Sequence, residues 1–339
     1  TCTQVVKEIW YTRVIDVQLA HKLGLIGYRN HAKRLLDIVE KNHNFEITNI
    51  YHPIKKIDDS RGTNNLEELY DCDGVIIASP NASHFDYIIK FIKNSNCLIF
   101  CEKPPCVSID EIKKLNKLEN QDKCRIFFNF NFRFSETSKI IKETIESDTI
   151  GKIIHINFVS THGLAFKNEY IDSWRANGDK NPHNILETLT IHFLDLMNFH
   201  FGKINNSLYS PSQFSDNGSS FDTCHLLLEC ENGLTGSILN SYATSYIEET
   251  LLIGTNGYIS IRNDQLSEFY PRDTFNSKGF FITPPIKRKI NFNLKSNYEN
   301  SLKNSVDYFL THIKNNKSFE LSEFNSSLST NMDILNLKK

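Results

Sequence analysis

The sequence contains no long hydrophobic run. No apolar stretch approaches the roughly 20 residues that a membrane-spanning helix needs. The first apolar segments are interrupted by Lys7, Glu8, Arg13 and Asp16, so a signal-peptide pattern is also missing. We therefore expect a cytoplasmic protein without a membrane partner, and we expect residues 1–21 to form an irregular leader.

The chain also lacks an excess of charge of either sign. It has 38 Lys and Arg residues against 40 Asp and Glu residues, which leaves a formal net charge of -2 at pH 7. Proteins that bind nucleic acids or anionic membranes through their charge present a strongly basic surface. Neither of these partners is therefore expected.

The eight cysteines lack the spacing of a metal site. No C-x-x-C pair occurs, and no histidine pair lies near the cysteines at zinc-finger spacing. Cys101 and Cys106 flank Lys103, which leaves a redox role open, but small buried thiols are the better interpretation. We predict free thiols and no bound metal.

Residues 22–130 do contain a regular alternation of short apolar runs with segments of helical periodicity. The runs that predict strands lie at residues 22–27, 45–51, 75–78, 97–100 and 125–130. The segments that predict helices lie at residues 32–39, 85–93 and 108–119, the last of them started by a capping box of Ser108 and Glu111. This order is typical of a doubly wound α/β domain with a parallel sheet.

Beyond Gly151 the pattern changes to longer strands in which apolar and polar residues alternate, as in residues 152–158 and 224–230. Such alternation favours an antiparallel sheet with one covered face, and residues 231–233 (ENG) predict a hairpin turn within it. We predict one α/β domain over residues 22–140 and a second over residues 141–339, with a large, mainly antiparallel open sheet.

Residues 27–32 (GYRNHA) connect the first strand to the first helix, which is the place of the dinucleotide fingerprint G-x-G-x-x-G/A. Gly27 is the first glycine, Tyr28 follows it, and Ala32 is the last small residue. Arg29 replaces the second glycine, so it must either point outward or contact a phosphate. The pattern alone leaves open a dinucleotide site and a plain strand-to-helix turn.

The second strand ends at His52, where an acid usually binds the adenosine ribose. Without that carboxylate a 2′-phosphate meets no repulsion, and Lys55 and Lys56 follow closely. We expect NADP or NAD as the cofactor, with a slight preference for NADP, while two solvated lysines remain the alternative.

Lys103 follows an apolar strand and lies between Glu102 and a pair of prolines. The carboxyl ends of parallel strands are where open α/β sheets bind ligands. A lysine made less basic by burial can accept a hydroxyl proton near neutral pH. Lys103 is therefore a catalytic candidate.

Together these features make the chain resemble the Gfo/Idh/MocA oxidoreductases, the family of glucose-fructose oxidoreductase and inositol dehydrogenase. The motifs that carry the resemblance are the glycine turn and residues 73–84 (DGVIIASPNASH), 101–104 (CEKP), 131–134 (NFRF), 150–153 (IGKI), 174–175 (WR), 192–195 (HFLD) and 254–258 (GTNGY). They run in order from about residue 22 to the C-terminal helix, so the resemblance covers nearly the whole chain.

The resemblance implies a Rossmann domain joined to an α/β domain, with a C-terminal helix that packs back on the Rossmann domain. It implies hydride transfer between a nicotinamide cofactor and a sugar, nucleotide sugar or cyclitol, in a homo-oligomer (dimer or tetramer). Lys103 would bind the reacting hydroxyl and the nicotinamide edge, and His192 would be the acid/base.

The resemblance further implies two sets of binding residues. The cofactor set is Gly27, Tyr28, Arg29, Ala32, His52, Ser79, Pro80, Asn81, His84, Glu102 and Lys103. The substrate set is Arg133, Trp174, Arg175, Thr188 and Asp195. Structural alternatives stay open for some of them: Asn81 as a helix cap, Arg133 and Arg175 as partners in ion pairs, and Trp174 as a core residue.

The chain departs from the family four residues before the histidine, where Thr188 replaces the usual aspartate and a glycine-rich run is missing. On a regular helix Thr188 faces the same side as His192, so it can bind substrate but cannot act as a base. Glu187 points elsewhere unless the helix start is irregular. A non-catalytic Rossmann protein that binds or senses a nucleotide or sugar is therefore the alternative function, while a metal-dependent lyase or hydrolase lacks a ligand cluster.

Overall fold

The computed structural model describes residues 20–262, 264–291 and 297–338. Residues 1–19 of the predicted leader lie outside these ranges, and His21 already belongs to the first strand. Over the described residues the chain forms two sheets with helices packed against them. None of the helices in these ranges is both long enough and apolar enough to cross a membrane.

The first sheet is parallel and has the strand order β3-β2-β1-β4-β5-β6. Its strands are β1 (His21–Ile26), β2 (Phe45–Tyr51), β3 (Gly62–Thr63), β4 (Gly74–Ile77), β5 (Leu98–Glu102) and β6 (Ile126–Asn129). All four residues of β4 are buried, as expected for a central parallel strand covered on both faces. The strand order reverses between β1 and β4, which places a ligand-binding crevice at their carboxyl ends.

The helices of this half are α1 (Asn30–Glu40), α2 (His84–Asn94), α3 (Ile109–Asn116), α4 (Asn120–Lys123) and α5 (Glu136–Ser147). The predicted capping box of α3 is confirmed, because Ser108 Oγ accepts from the Glu111 N–H and the Glu111 carboxylate accepts from the Ser108 N–H. The helix predicted over residues 108–119 is shorter than expected, because α3 ends at Asn116, and the short α4 begins after the predicted range.

The second sheet has the order β14-β13-β12-β11-β7-β10-β9-β8 and is antiparallel except where β7 pairs with β10. Its strands are β7 (Ile153–Thr161), β8 (Ile204–Ser212), β9 (Thr223–Cys230), β10 (Thr235–Ser241), β11 (Ile247–Gly254), β12 (Gly257–Arg262), β13 (Gln265–Phe269) and β14 (Ile286–Asn291). Buried and exposed residues alternate along β9, as its sequence predicts. The predicted hairpin turn is confirmed, since the Gly233 N–H donates to the Cys230 carbonyl at 2.9 Å and Gly233 has a φ of +80°.

The remaining helices are α6 (Asn168–Ile171), α7 (Ile191–Phe201), α8 (Asn297–Lys314) and α9 (Leu321–Leu337). Helix α7 is buried over residues 191–198 and packs against α9 and β10. Helix α8 follows the second sheet in sequence but packs on the first one, where the ring centre of Phe309 lies 5.4 Å from that of Phe100 in β5. The predicted fold class, a Rossmann parallel sheet with a second, mainly antiparallel open sheet, is confirmed.

Candidate active site

The glycine turn brings the carboxyl ends of β1 and β4 together. Gly27 has a φ of +100°, and a Cβ atom at this position would lie 2.6 Å from the Ala78 carbonyl oxygen. Only glycine fits this contact without strain. The turn after β1 therefore lies directly against the loop that follows β4.

The N-terminus of α1 is open to an anion. Its N-cap is Arg29, whose side chain makes no capping bond, and no acid lies in the first turn. The free N–H groups of a first turn and the positive end of the helix dipole suit a pyrophosphate, so the turn fits a dinucleotide. Arg29 is exposed and extended (φ -92°), which explains how a residue other than glycine is tolerated there.

The loop after β2 supplies an acid that the sequence did not predict. Asp59 comes back to the glycine turn, where it accepts from the Tyr28 hydroxyl at 3.4 Å, but Arg61 holds it at 2.9 and 2.8 Å. These bonds lower the pKa of Asp59 to about 2. His52 caps the same loop, because its Nδ1 accepts the Lys55 N–H at 2.9 Å.

The loop after β4 holds four of the predicted cofactor residues. The Ser79 hydroxyl bonds the Ser83 hydroxyl at 2.8 Å, and Pro80 starts a short 3₁₀ turn. The alternative role of Asn81 as a helix cap is not observed, since this turn has no side-chain cap bond. The half-buried Asn81 therefore remains available to a ligand.

His84 is the exception in this loop. It is fully buried (0% exposed), and its ring nitrogens lie 2.9 Å from the carbonyl oxygens of Pro104 and Ser79. Burial lowers the pKa of His84, so the neutral ring donates to one of these carbonyls. A cofactor cannot contact a fully buried ring, and the predicted cofactor role of His84 is wrong because it instead ties two loops together.

Glu102 joins the first sheet to α1. Its Oε1 accepts from His31 Nε2 and from Asn129 Nδ2, both at 2.7 Å. Burial acts to raise the pKa of Glu102, but the charge of His31 and these hydrogen bonds outweigh it and leave the pKa below its usual value. The attraction to Glu102 likewise raises the pKa of His31. This buried carboxylate is therefore ionised and paired.

Lys103 points from β5 toward the helix that carries His192. Its Nζ donates to the carbonyl oxygens of Thr188 at 2.9 Å and Glu187 at 3.3 Å. Burial lowers the pKa of Lys103 to about 8, with a further lowering by Arg175. A lysine with this pKa exchanges protons close to neutral pH.

The carbonyl groups that hold Lys103 belong to a π-helical turn, Leu186–Thr190, which runs directly into α7. The prediction of a regular helix at this position is wrong, because a π turn adds about one residue per turn. The start of this helix is therefore irregular. Glu187 can then point in a different direction from the one that a regular helix predicts. Its carboxylate forms an ion pair with Lys338.

The hydroxyl of Thr188 is already engaged. Its proton goes to the Asn184 carbonyl oxygen at 2.8 Å, since a carbonyl can only accept. The Tyr242 hydroxyl, 2.5 Å away, therefore donates to Thr188 Oγ1, and burial, which raises the pKa of Tyr242 to about 12, keeps that proton in place. Thr188 therefore has no proton left to donate, but its oxygen keeps a lone pair, so the prediction that Thr188 hydrogen-bonds the substrate stays a prediction, with Thr188 as the acceptor.

His192 lies in the interior at the beginning of α7. It is 5% exposed, and its ring stacks on Phe132 with the ring centres 4.3 Å apart. Burial lowers the pKa of His192 well below its usual value, and the charges of Lys103 and His31 lower it further. The ring is therefore neutral at pH 7, and Nδ1 has no hydrogen-bond partner among the described residues.

Two of the predicted substrate residues bind each other instead. Arg133 donates to both carboxylate oxygens of Asp195 at 2.7 and 2.6 Å, and the two side chains are 6% and 0% exposed. Such a bidentate, buried pair satisfies both charges. The predicted substrate roles of Arg133 and Asp195 are wrong because the pair is structural, which is the alternative that the sequence left open.

Trp174 and Arg175 are neighbours in sequence, and their side chains stack on each other. Trp174 is 49% exposed, so it is not a core residue, and the Arg175 guanidinium lies 4.8 Å from its ring centre. The His162 ring stacks on Tyr242 with the ring centres 4.9 Å apart. Tyr242 and His31 were missed as site residues because each acts through a partner that is distant in sequence.

The described cysteines are free thiols, most of them buried, as predicted. No group of three or more His, Cys, Asp or Glu side chains in the described ranges is placed to hold a metal ion.

Comparison with known proteins places this site in a family context. Residues 21–130 match the family described as "Oxidoreductase family, NAD-binding Rossmann fold", and residues 139–260 match the "GFO/IDH/MocA C-terminal domain". Inositol 2-dehydrogenase of Rhizobium meliloti is 23% identical over 207 residues, which cover 59% of this chain and 60% of the relative. Glucose-6-phosphate 3-dehydrogenase of Bacillus subtilis is 24% identical over 185 residues, 52% of each chain. The chain thus spans between half and two thirds of the length of these curated relatives.

Solved structures match over a larger part of the chain. A myo-inositol dehydrogenase from Corynebacterium glutamicum covers 94% of this chain and 96% of its own, with a TM-score of 0.71 and 20% identity. An oxidoreductase from Agrobacterium radiobacter in complex with NAD+, L-tartaric acid and magnesium covers 93% and 94%, with a TM-score of 0.74 and 19% identity. These structures share the fold, and the two family matches together span most of the residues that build the site. The chain belongs to the GFO/IDH/MocA family of NAD-binding oxidoreductases.

Proposed function

We propose that the protein transfers a hydride between a nicotinamide cofactor and a hydroxyl or keto carbon of a sugar, nucleotide sugar or cyclitol. The observation that carries the proposal is the geometry of Lys103, whose pKa is lowered to about 8 and whose Nζ is held by the carbonyls of Thr188 and Glu187. The names of the relatives, which are inositol and glucose-6-phosphate dehydrogenases, support a sugar-like substrate.

The residues that would hold the cofactor lie along the carboxyl ends of β1, β4 and β5. The Gly27 turn and the first turn of α1 would hold the pyrophosphate, and Asn81 and Lys103 would contact the nicotinamide. A bound oxidised nicotinamide supplies the acceptor for the hydride that leaves the substrate carbon.

The hydrogen bonds of Lys103 orient its amine to accept the proton of the reacting hydroxyl. A neutral amine has two N–H groups and one lone pair, and the carbonyls of Thr188 and Glu187 accept the two N–H groups. The lone pair then remains to accept the hydroxyl proton as the substrate C–H and O–H bonds break and the carbonyl forms. In the reverse direction the ammonium returns that proton to the keto oxygen.

His192 has a different role from Lys103 because its pKa lies much lower. We infer that the neutral ring donates its N–H to the oxygen of the reacting hydroxyl and orients it, while the hydroxyl proton moves to Lys103, the stronger base. The alternative of a non-catalytic binding protein gains no support from this arrangement or from the family.

For the cofactor we propose NADP in preference to NAD. Asp59 is the acid closest to the glycine turn in this loop, and Arg61 neutralises it, so a 2′-phosphate would meet little repulsion. Lys55 and Lys56 lie exposed on the same loop.

Titration of the protein with NADPH and NADH, followed by nicotinamide fluorescence, tests the oxidoreductase function and the preference for NADP. Tighter binding of NADH contradicts the preference, and binding of neither contradicts the oxidoreductase.

We also propose that the chain forms a dimer or tetramer through the open face of the second sheet. Leu208 and Leu227, which are paired across β8 and β9, are 63% and 42% exposed. Exposed apolar side chains that adjoin on a sheet are typical of an interface. Light scattering coupled to size exclusion measures the mass, and a monomer at micromolar concentration would contradict the proposal.

A further inference from the structure

Helix α9 contacts both segments that fix Lys103. Asn331 Oδ1 accepts the N–H of Cys106, three residues after Lys103, at 2.7 Å, and this bond is buried. Lys338, which follows the last residue of α9, forms an ion pair with the Glu187 carboxylate in the π-helical turn. Asn331 and Lys338 are seven positions apart, which is about two helical turns. One face of α9 therefore joins the loop after β5 to the turn before α7.

Glu187 contacts two lysines with different groups. Its backbone carbonyl accepts from Lys103 Nζ at 3.3 Å, while its carboxylate pairs with Lys338. The Glu187 and Lys338 side chains are 14% and 27% exposed, so the pair is partly shielded from water. Among the described residues, Lys103 Nζ forms no ion pair, and its hydrogen bonds go to backbone carbonyls. The backbone of Glu187 thus contacts Lys103, and its charge is directed to Lys338.

Without Lys338 the Glu187 carboxylate would be unpaired in a partly buried place, which is unfavourable until another cation binds it. Lys103 is in contact with the same residue. Burial lowers the pKa of Lys103 to about 8, and the charge of Glu187 already acts in the opposite direction. An ammonium beside an unpaired carboxylate keeps its proton more tightly. An unpaired Glu187 would therefore oppose the deprotonation that oxidation of a hydroxyl requires.

Other titratable groups face Lys103 from neighbouring elements. After burial, its pKa is influenced most by Glu102, which raises it, and by Arg175, which lowers it. Glu102 is itself held in an ion pair. His192 on α7 is neutral, because burial lowers its pKa well below the usual value. Replacement of Lys338 leaves all of these groups in place.

Two further titratable groups, His183 and Tyr209, face Glu187. His183 Nδ1 lies 3.0 Å from the Tyr209 hydroxyl oxygen. Burial lowers the pKa of His183 and raises that of Tyr209, so both are neutral at pH 7. The positive charges around Glu187 are then those of Lys338 and Lys103.

We propose that Lys338 is a positioning residue for the reaction: its ion pair keeps the Glu187 carboxylate away from Lys103, while the Glu187 carbonyl still orients the amine. The proposal rests on the oxidoreductase function above, in which Lys103 accepts the hydroxyl proton. Lys338 acts through Glu187 and needs no contact with the substrate. Asn331 supports the same arrangement, because it fixes the loop after Lys103.

The test measures the pKa of Lys103 directly, by NMR titration of the full chain with isotope-labelled lysine side chains, without substrate or cofactor. The Lys103 resonance is identified by its absence from the spectrum of Lys103→Arg. Lys338→Met should raise this pKa by about one unit, the lower end of the effect of an opposite charge at close range. Lys338→Arg keeps the ion pair and should behave like the wild type.

Two more variants make the test specific. The double variant Lys338→Met with Glu187→Gln lacks both charges but keeps the backbone carbonyl, so the pKa of Lys103 should return to the wild-type value or below. Lys203→Met removes an exposed lysine from an ion pair of 3.2 Å with Glu231 and should leave the pKa of Lys103 unchanged. Unfolding curves show that each variant is folded.

Turnover gives a second readout, with glucose 6-phosphate and myo-inositol as the probes. Oxidation by Lys338→Met should be about tenfold slower than by the wild type at pH 7, because a rise of one unit in pKa lowers the fraction of neutral amine about tenfold. The two proteins should become equal above about pH 10, where the amine is neutral in both. A simple loss of packing would instead lower turnover by the same factor at every pH.

Three results would overturn the proposal. The pKa of Lys103 is unchanged in Lys338→Met, or Lys338→Arg raises it as much as Lys338→Met does, or the double variant keeps the raised value. If the wild-type protein oxidises neither probe and binds neither NADPH nor NADH, the oxidoreductase proposal fails separately. The titration without ligand still decides whether Lys338 controls the charge of Lys103.

Discussion

Lys103 Nζ lies 2.9 Å from the carbonyl oxygen of Thr188, so the residue that replaces the family's aspartate contributes its backbone, not its side chain, to the catalytic lysine. The same carbonyl lies in the π-helical turn Leu186–Thr190. A carbonyl dipole can orient an amine without the full charge of a carboxylate, which would raise the lysine pKa. The substitution is therefore compatible with a lysine that exchanges protons near neutral pH.

Replacement of Lys103 should remove the group that accepts the proton. We expect Lys103→Ala to lower kcat by about 100-fold or more, while the Kd of the dinucleotide changes little. Lys103→Arg keeps the charge but cannot lose a proton, so it should be as inactive. Steady-state kinetics and cofactor fluorescence measure the two effects, and a Lys103→Arg enzyme with normal turnover would contradict the role of a base.

His192→Ala should also lower kcat by about 100-fold while the dinucleotide still binds, because the reacting hydroxyl loses the ring that orients it. His192→Asn retains a hydrogen-bond donor near the same place and should recover part of the loss. Single-turnover measurements separate the hydride step from product release. Normal turnover in both His192 variants would show that the ring is only a packing partner of Phe132.

The pKa of Lys103, about 8, predicts opposite pH profiles for the two directions of reaction. Oxidation needs the neutral amine, so kcat/KM should rise with pH and level off above about 8. Reduction needs the ammonium, so kcat/KM should fall as the pH passes the same value. Measurement of both directions between pH 6 and 10 in one buffer series tests this, and parallel profiles in the two directions would exclude Lys103 as the titrating group.

The Arg133–Asp195 pair should matter for stability and not for substrate affinity. Removal of one partner leaves a buried, unpaired charge, so Arg133→Met or Asp195→Asn should lower the free energy of unfolding by about 3–5 kcal/mol. The double variant Arg133→Met with Asp195→Leu should recover much of this loss. Urea unfolding gives the stability, and a large rise in KM without a loss of stability would restore the substrate role predicted from the sequence.

Thr188→Val should separate the side chain from the backbone at this position. The backbone carbonyl that holds Lys103 remains, so kcat should change by less than about fivefold, while loss of the hydroxyl bonds to Asn184 and Tyr242 should destabilise the fold by about 1–2 kcal/mol. Tyr242→Phe removes one of the same bonds from the other side and should have a smaller effect on stability. A 100-fold loss of kcat in Thr188→Val would show that the hydroxyl takes part in the reaction.

The features that the sequence predicts correctly are those carried by contiguous residues. The strands, the capping box of Ser108 and Glu111 and the turn at Gly233 depend on neighbours within a few positions, so the local pattern contains their cause. The position of Lys103 at a sheet edge follows from the strand before it.

The errors have a different physical origin. Glu102 and His31 are 71 positions apart in sequence, and Arg133 and Asp195 are 62 positions apart. No local pattern shows that the charges of each pair neutralise each other. The π turn before α7 departs from regular helical spacing, and no local pattern in the sequence shows it. His84 was assigned to the cofactor because it follows a ligand-binding loop, and only its complete burial reveals the structural role.

The packing of α8 on the first sheet has a consequence for the order of synthesis. Phe309 fills space beside Phe100, and Ile313 lies against Gly74, so residues made late complete a core begun more than 200 positions earlier. A nascent chain on the ribosome that has passed β6 still exposes this apolar surface. This surface stays uncovered until α8 emerges from the exit tunnel, so the first sheet can complete its core only late in synthesis.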